Sequence, residues 1–266
     1  MNPIRLGGHA VLLGDTRACH YSYRADNVVL VSREAENPDL RLFQRDDVHR
    51  LWVAKVPWTE CERVYSVQTF ATWRGHLVDI LCVSDHGMVE AIYAGASTGW
   101  ALDNGFVQAD KYEYRREVAI TELTNVYEEQ RDLIFDLWRE NRTPAAEAYR
   151  RPRIGVYVTI AGQEHRARSI DDSGIVVLTD RRQVAAGECE RVVDVVTLAS
   201  HLELECEVTA INADGSACLR LCGDDRFAET RGFTRTDSGG WTKSADLQSL
   251  MHYRERHRPL AGTGRR

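Results

Sequence analysis

No apolar stretch of this chain approaches the roughly 20 residues that a membrane-spanning helix requires, although 43% of its 266 residues are hydrophobic. A transmembrane helix is not expected, and neither is a membrane partner. The start, Met1-Asn2-Pro3-Ile4-Arg5-Leu6-Gly7-Gly8, lacks the basic-then-apolar run of a secretory signal, so a cytoplasmic protein is expected. The seven cysteines show no CxxC spacing, and neither a common zinc module nor a secreted disulfide framework is indicated. A formal net charge of −6 weighs against broad contact with a phosphate backbone, which needs clustered Lys and Arg; nucleic acid is not an expected partner.

Catalytic signatures are missing too. Neither GxxxxGK[ST] nor GxGxxG is present to cradle a phosphate, and no pair of histidines one turn apart accompanies a glutamate. No metal, cofactor or catalytic residue is assigned. The hydrolase pattern GxSxG occurs once, as Gly95-Ala96-Ser97-Thr98-Gly99, but a nucleophile elbow needs a strand turning sharply into a helix, and Asp103-Asn104-Gly105 would break that helix within two turns. A Gly/Ser loop is the better reading. Cys19-His20 places neighbouring side chains on opposite strand faces, so thiol and base would not meet. The carboxylate pairs Asp46-Asp47, Asp171-Asp172 and Asp224-Asp225 read as solvated turn residues that bond their own backbone.

What the chain does have is a repeat, which bears on the whole fold. Glu60-Cys61-Glu62-Arg63-Val64 recurs as Glu188-Cys189-Glu190-Arg191-Val192, and Val67, Thr69, Ala71, Gly87 and Gly95 match Val195, Thr197, Ala199, Gly215 and Gly223 at an offset of 128. At an offset of 127, Gly105-Phe106, Asp110, Leu123 and Glu128 meet Gly232-Phe233, Asp237, Leu250 and Glu255. Upstream, Asn27 to Ser32 resembles Gly174 to Thr179 at 147, and the change of offset places an insertion in copy one at about 38–56. Two units are expected, 1–148 and 149–258, joined by a Pro- and charge-rich linker with a boundary near residue 150. A disordered tail, 259–266, would follow.

The period within each copy predicts an α+β fold: an antiparallel meander of about six strands closed by one C-terminal helix. Val64 to Thr72, Leu77 to Val83 and Met88 to Tyr93 read as strands, with turns at Ser84-Asp85-His86-Gly87 and Asn212-Ala213-Asp214-Gly215. That second turn would set Cys206 opposite Cys222, as a packing contact rather than a redox pair. Ile120, Leu123, Tyr127, Ile134 and Leu137 fit a helical stripe between about Val118 and Glu140, and Leu247, Leu250 and Met251 fit its counterpart after a cap at Ser244.

Binding residues are sought where the copies differ. After the meander, Gly105-Phe106 and Gly232-Phe233 read as a turn followed by a core anchor, which leaves Trp100, Asp103 and Asn104 as an aromatic with polar neighbours suited to an interface. The insertion adds Asp46, Asp47 and Trp52, although an extra edge helix or strand that buries Leu51 and Trp52 is the better reading of the aromatic.

The order of meander, Gly-Phe loop, aromatic-basic step (Tyr114-Arg115-Arg116, Trp241-Thr242-Lys243) and closing helix resembles that of small immunity proteins from bacterial polymorphic toxin systems, over about half of each copy. The resemblance implies a cytoplasmic, non-enzymatic protein that plugs a toxin's cleft with acidic and aromatic residues, and the net acidity is compatible with a basic partner. A protein-binding module is therefore the first functional expectation. A secretion chaperone or assembly factor is the second, and an enzyme or small-ligand binder with a site between the halves is the third.

Overall fold

The computed structural model describes residues 4–22, 24–141, 152–223 and 226–260, without the side chains of residues 138, 140 and 141. In the first half, β1 (Gly7–Leu12) and β2 (Asp15–His20) form a hairpin, β3 (Asn27–Ser32) joins β2, and β4 (Gln44–Asp46) and β5 (Leu51–Pro57) complete that lobe. A meander of β6 (Arg63–Trp73), β7 (His76–Val83) and β8 (Met88–Tyr93) follows. A short helix α1 (Thr98–Asp103), β9 (Val107–Asp110), β10 (Glu113–Ala119), β11 (Thr124–Asp132) and α2 (Phe135–Asn141) end the half.

The second half opens with β12 (Gly155–Ile160), β13 (Gln163–Ile170), β14 (Ile175–Leu178) and β15 (Gln183–Ala185). It continues through β16 (Arg191–His201), β17 (Leu204–Ile211), β18 (Ser216–Leu221), β19 (Thr234–Arg235), β20 (Trp241–Asp246) and β21 (Met251–Pro259). Hydrogen bonds link these 21 strands into one continuous network, and every pairing given for the described residues is antiparallel.

The expected pair of α+β units is thereby corrected: the chain is mostly β, one sheet runs through both halves, and among the described residues no unit closes with a long helix. Residues 118–132 form the end of β10, a 3-10 turn (Ile120–Glu122) and β11; only α2 is helical in the predicted span. The Ile120 to Leu123 spacing that resembled a helix is this 3-10 turn, whose residues repeat every three positions. The predicted second helix is likewise a 3-10 turn, Leu247–Ser249, capped by Asp246 rather than Ser244, and then β21. The inward positions of β11 and β21 carry Glu128, Gln130, Glu255 and His257, all buried, so the strand alternation is written in polar residues that a hydrophobicity pattern overlooks.

Smaller expectations change as well. Asn212 pairs with Ser216 and Gly215 is left-handed as read, but a bulge between Val208 and Ala210 shifts the ladder, so Cys206 faces Leu221 and not Cys222. The expected Gly/Ser loop contains α1, with Ser97 accepting from the Trp100 N–H at its N-terminus. Phe106 and Phe233 are 2% and 4% exposed, core anchors as expected. Pro259 still pairs with Val193 and the Leu260 N–H donates to Val192, so the ordered chain runs past the predicted tail start. The rest of that tail, most of the linker with its boundary near 150, and Asp224-Asp225 lie outside the described residues.

Two long strands organise the sheet. Residues 63–67 of β6 pair with β1 and residues 69–73 with β7 along one edge, while β11 occupies the other. Such a strand crosses two lobes: Val64 packs in the core of β1, β3 and β5, whereas Ala71 and Trp73 enter the core of β7, β8 and β10 from the opposite face. β16 does the same with β12 and β17, burying Val192 in one core and Ala199 in another. Corresponding strands from β6 to β11 and from β16 to β21 start 128 or 127 residues apart.

The halves meet where β11 pairs with β21. Glu128 stands opposite His257 and Gln130 opposite Glu255, symmetrically about the Glu129–Arg256 pair. A second link comes from α2, where Ile134 just before it enters the first half's core and Phe135 stacks on Tyr253 of the second, centroids 4.2 Å apart and planes within 4°.

Candidate functional site

A cleft of about 830 Å³ opens between the halves on one face of the β11–β21 pair. Arginines line its floor, held from behind by buried carboxylates. Arg5 donates to Glu128 through Nε and Nη2 (3.3 and 3.1 Å), and Arg191 from the other half reaches the same carboxylate at 2.7 Å. The mirror arrangement surrounds Glu255, which takes Arg153 at 2.9 Å and Arg63, from the first half, at 3.0 Å. Each carboxylate thus holds one arginine from each half.

Local structure explains why these side chains converge. Glu128 and Glu255 alternate inward on strands whose pairing is symmetric, so they are diagonal neighbours on one face. Arg5 and Arg153 precede β1 and β12, and their backbones are anchored by buried Thr69 and Thr197: Thr69 Oγ1 donates to the Arg5 carbonyl (2.6 Å), and Thr197 Oγ1 donates to the Arg153 carbonyl (3.0 Å). Arg63 and Arg191 open β6 and β16. The recurrent pentad is now legible residue by residue: Cys61 and Cys189 pack in cores, Glu62 and Glu190 accept the turn N–H of Gly14 and Gly162 (2.7 and 3.0 Å), and the arginines reach across to the other half.

The walls are the β1–β2 and β12–β13 hairpins. Asp15, Glu62, Glu164 and Glu190 place four carboxylates at the rim, all exposed; Asp15 pairs with Arg17 (3.3 Å) and Glu164 with Arg153. Tyr65 lies under the Arg63 guanidinium, 4.6 Å from ring centroid to Cζ, and stacks with His9 at 5.7 Å. Gln130 takes a bond from Arg63 (3.3 Å) and donates to Glu128 (3.4 Å), while His257 Nε2 bonds Glu255 at 2.8 Å.

The electrostatics of floor and rim oppose one another. Four floor arginines meet two buried carboxylates and, at Arg153, the exposed Glu164, which leaves one positive charge in surplus, at the Arg5–Glu128–Arg191 group; the arginine side chains are only 15–26% exposed. The acidic rim is solvated, so water and salt screen its charges far more than those of the floor, and the field at the bottom is positive. Neighbouring groups register it. Burial pushes His257 down to about 4, with Arg191 and Arg153 lowering it further against the pull of Glu255. His9 is lowered by burial and by Arg5, Arg191 by burial and by the like charge of Arg5. Glu128 and Glu255 lie below the ordinary carboxylate range because the arginine pairs outweigh their desolvation.

The six residues singled out from sequence lie elsewhere, on two separate lobes. Trp100 on α1 is half-buried, stacked on His76 at 3.7 Å and on Tyr93 at 5.3 Å. Asn104 bonds the Trp100 carbonyl (2.9 Å) and accepts from Arg74 (3.3 Å), while Asp103 is exposed. Asp46, Asp47 and Trp52 share the β4–β5 hairpin of the insertion: Asp46 accepts from the N–H groups of Val48 and His49, Trp52 donates to the Glu34 carbonyl, and Asp47 is exposed near Arg45. Residues of the cleft were visible in the sequence as recurring identities, Arg63 with Arg191 and Glu128 with Glu255. Arg5-Leu6-Gly7 also echoes Arg153-Ile154-Gly155, but at an offset of 148 that hid it.

A family model described as Uncharacterised conserved protein UCP033725 matches residues 19–133, less than half of the chain. The chain is similar to that family over this stretch. The match takes in Arg63, Glu128 and Gln130 but not Arg5, Arg153, Arg191 or Glu255. No curated protein and no solved structure matches the chain.

Proposed function

We propose that the protein binds a small anionic ligand in the cleft between its halves. The observation that carries this reading is the pair of buried Arg–Glu–Arg groups, the first with a positive charge in surplus and the second holding the exposed Glu164 on Arg153, at the floor of a cavity whose volume lies in the small-molecule range. Two guanidiniums offer ten N–H donors, whereas one carboxylate has about four lone-pair sites to receive them. An anion with planar or tetrahedral oxygens would take further donors bidentately and neutralise the surplus charge. The geometry favours this site over the Trp100 and Trp52 surfaces because its polar groups converge, whereas those two rings are engaged in packing and in bonds to their own lobe.

The test is isothermal calorimetry and thermal denaturation of the full chain with phosphate, sulfate and small carboxylates at low ionic strength. Binding should raise the melting temperature, and Arg191→Gln should weaken it by about tenfold or more, which corresponds to about 1.4 kcal/mol. A melting temperature unmoved by every anion at millimolar concentration would remove the cleft as an anion site.

A further inference from the structure

Resting on that reading, we infer that the ligand carries two anionic groups on one skeleton, one for each Arg–Glu–Arg group. The β11–β21 pairing is symmetric about Glu129–Arg256, so the two-arginine arrangement at Glu128 recurs at Glu255, where Arg153 also holds the exposed Glu164. Arg5 with Arg191 forms one receptor and Arg63 with Arg153 the other, and each pair contains one arginine from each half. A single anion at Arg5 and Arg191 neutralises the surplus there; a second anionic group takes the place on Arg153 that Glu164 fills from the solvated rim, where its own charge is more screened.

The spacing follows from the ladder. Glu128 and Glu255 are diagonal cross-strand neighbours, and such positions lie about 7–8 Å apart. That separation exceeds the reach of one carboxylate or phosphate group. Two anionic ends joined by a short linear spacer would place one at each receptor. The exposed carboxylates Glu62 and Glu190 line the cleft at corresponding places in the two halves. They act against a third negative charge there, so the expected class is a small bis-anion with a neutral spacer.

The probes are α,ω-alkanedicarboxylates of four to eight carbons and the monocarboxylates of equal length, titrated calorimetrically into the full chain at low ionic strength. The expected result is a dicarboxylate that binds at least tenfold more tightly than its monocarboxylate partner, with an optimum at one chain length. Arg5→Gln and Arg153→Gln should each bring it down to monocarboxylate affinity. Arg5→Lys and Arg153→Lys, which keep the charge, serve if the glutamine variants fail to fold, and each should lower the dicarboxylate advantage by losing the bidentate fork. Equal affinity for the two series, or affinities that rise together with chain length, would overturn the two-receptor inference while leaving an anion site in place. Absence of binding by both series and by phosphate and sulfate would overturn the anion-site reading itself.

Discussion

His257 is the residue at which burial beneath the cleft becomes measurable. It is fully buried beside Glu255 and opposite Glu128, and desolvation, aided by Arg191 and Arg153, outweighs the pull of Glu255 and brings it from 6.5 down to about 4. The unfolded chain binds that proton more readily than the folded one, so stability is complete above about pH 6.5 and is lost as pH falls towards 4. A difference of this size corresponds to about 3 kcal/mol. His9 and His201 are lowered as well and titrate in the same direction. Glu128 and Glu255 add a second loss below about pH 4.5, through their depressed folded values. Gln130 occupies the corresponding place on β11, so His257→Gln is a substitution the fold already accommodates. Urea melts between pH 7 and 4.5 should show most of the slope removed in that variant; an unchanged slope would assign it to the other histidines. Glu255→Ala, by contrast, removes the buried carboxylate shared by Arg63 and Arg153 and should cost about 3–5 kcal/mol at neutral pH in chemical denaturation. At this scale the sequence displayed the site without explaining it. Arg63, Arg191, Glu128 and Glu255 stand out as recurring identities, but a lone charged residue carries no mark of burial, and pairing across the halves joins positions more than 60 residues apart.

Turns and strands have a different legibility. Tight hairpins are set by left-handed residues at Leu13-Gly14, Arg74-Gly75, Ala161-Gly162 and Leu202-Glu203, and only the last lacks a glycine at its second position. Glu203 has a φ of 68° where Gly75 has 81°. A side chain there costs about 1–2 kcal/mol, partly offset by the greater freedom that glycine has when unfolded. Glu203→Gly should therefore stabilise by up to about 1 kcal/mol, and its ion pair with Arg231 at 3.7 Å is too exposed to matter. A melting temperature that falls instead would show that the side chain makes a compensating contact. Short strands such as β7 and β8 were readable because apolar alternation and a Gly-closed turn act together. β11 and β21 were not, since ion-paired inward positions hid their period of two, and the bulge in β17 defeats any register counted from a turn. The extra β4–β5 hairpin was visible only as a change of offset.

The whole molecule is held by contacts that cross between its halves: β11 with β21, the two shared carboxylates, and α2. Phe135 is buried against Tyr253, while Arg139 donates to the Gln248 and Leu250 carbonyls, so the helix that ends the first half is anchored in the second. Such coupling makes the halves one cooperative unit, and calorimetry should record a single transition whose van't Hoff and calorimetric enthalpies agree. Phe135→Ala should cost about 3–5 kcal/mol through the cavity it leaves. Because its partner lies across the junction, that loss falls on the coupling as well as on a core. Combined with Glu128→Ala, which removes the carboxylate shared by Arg5 and Arg191, the variant should resolve into two transitions. An anion in the cleft touches both halves, so it should draw those transitions together again as its concentration rises. A variant that keeps one transition would mean that the β11–β21 ladder suffices for cooperativity; two transitions that do not converge with ligand would mean that the anion engages one half only.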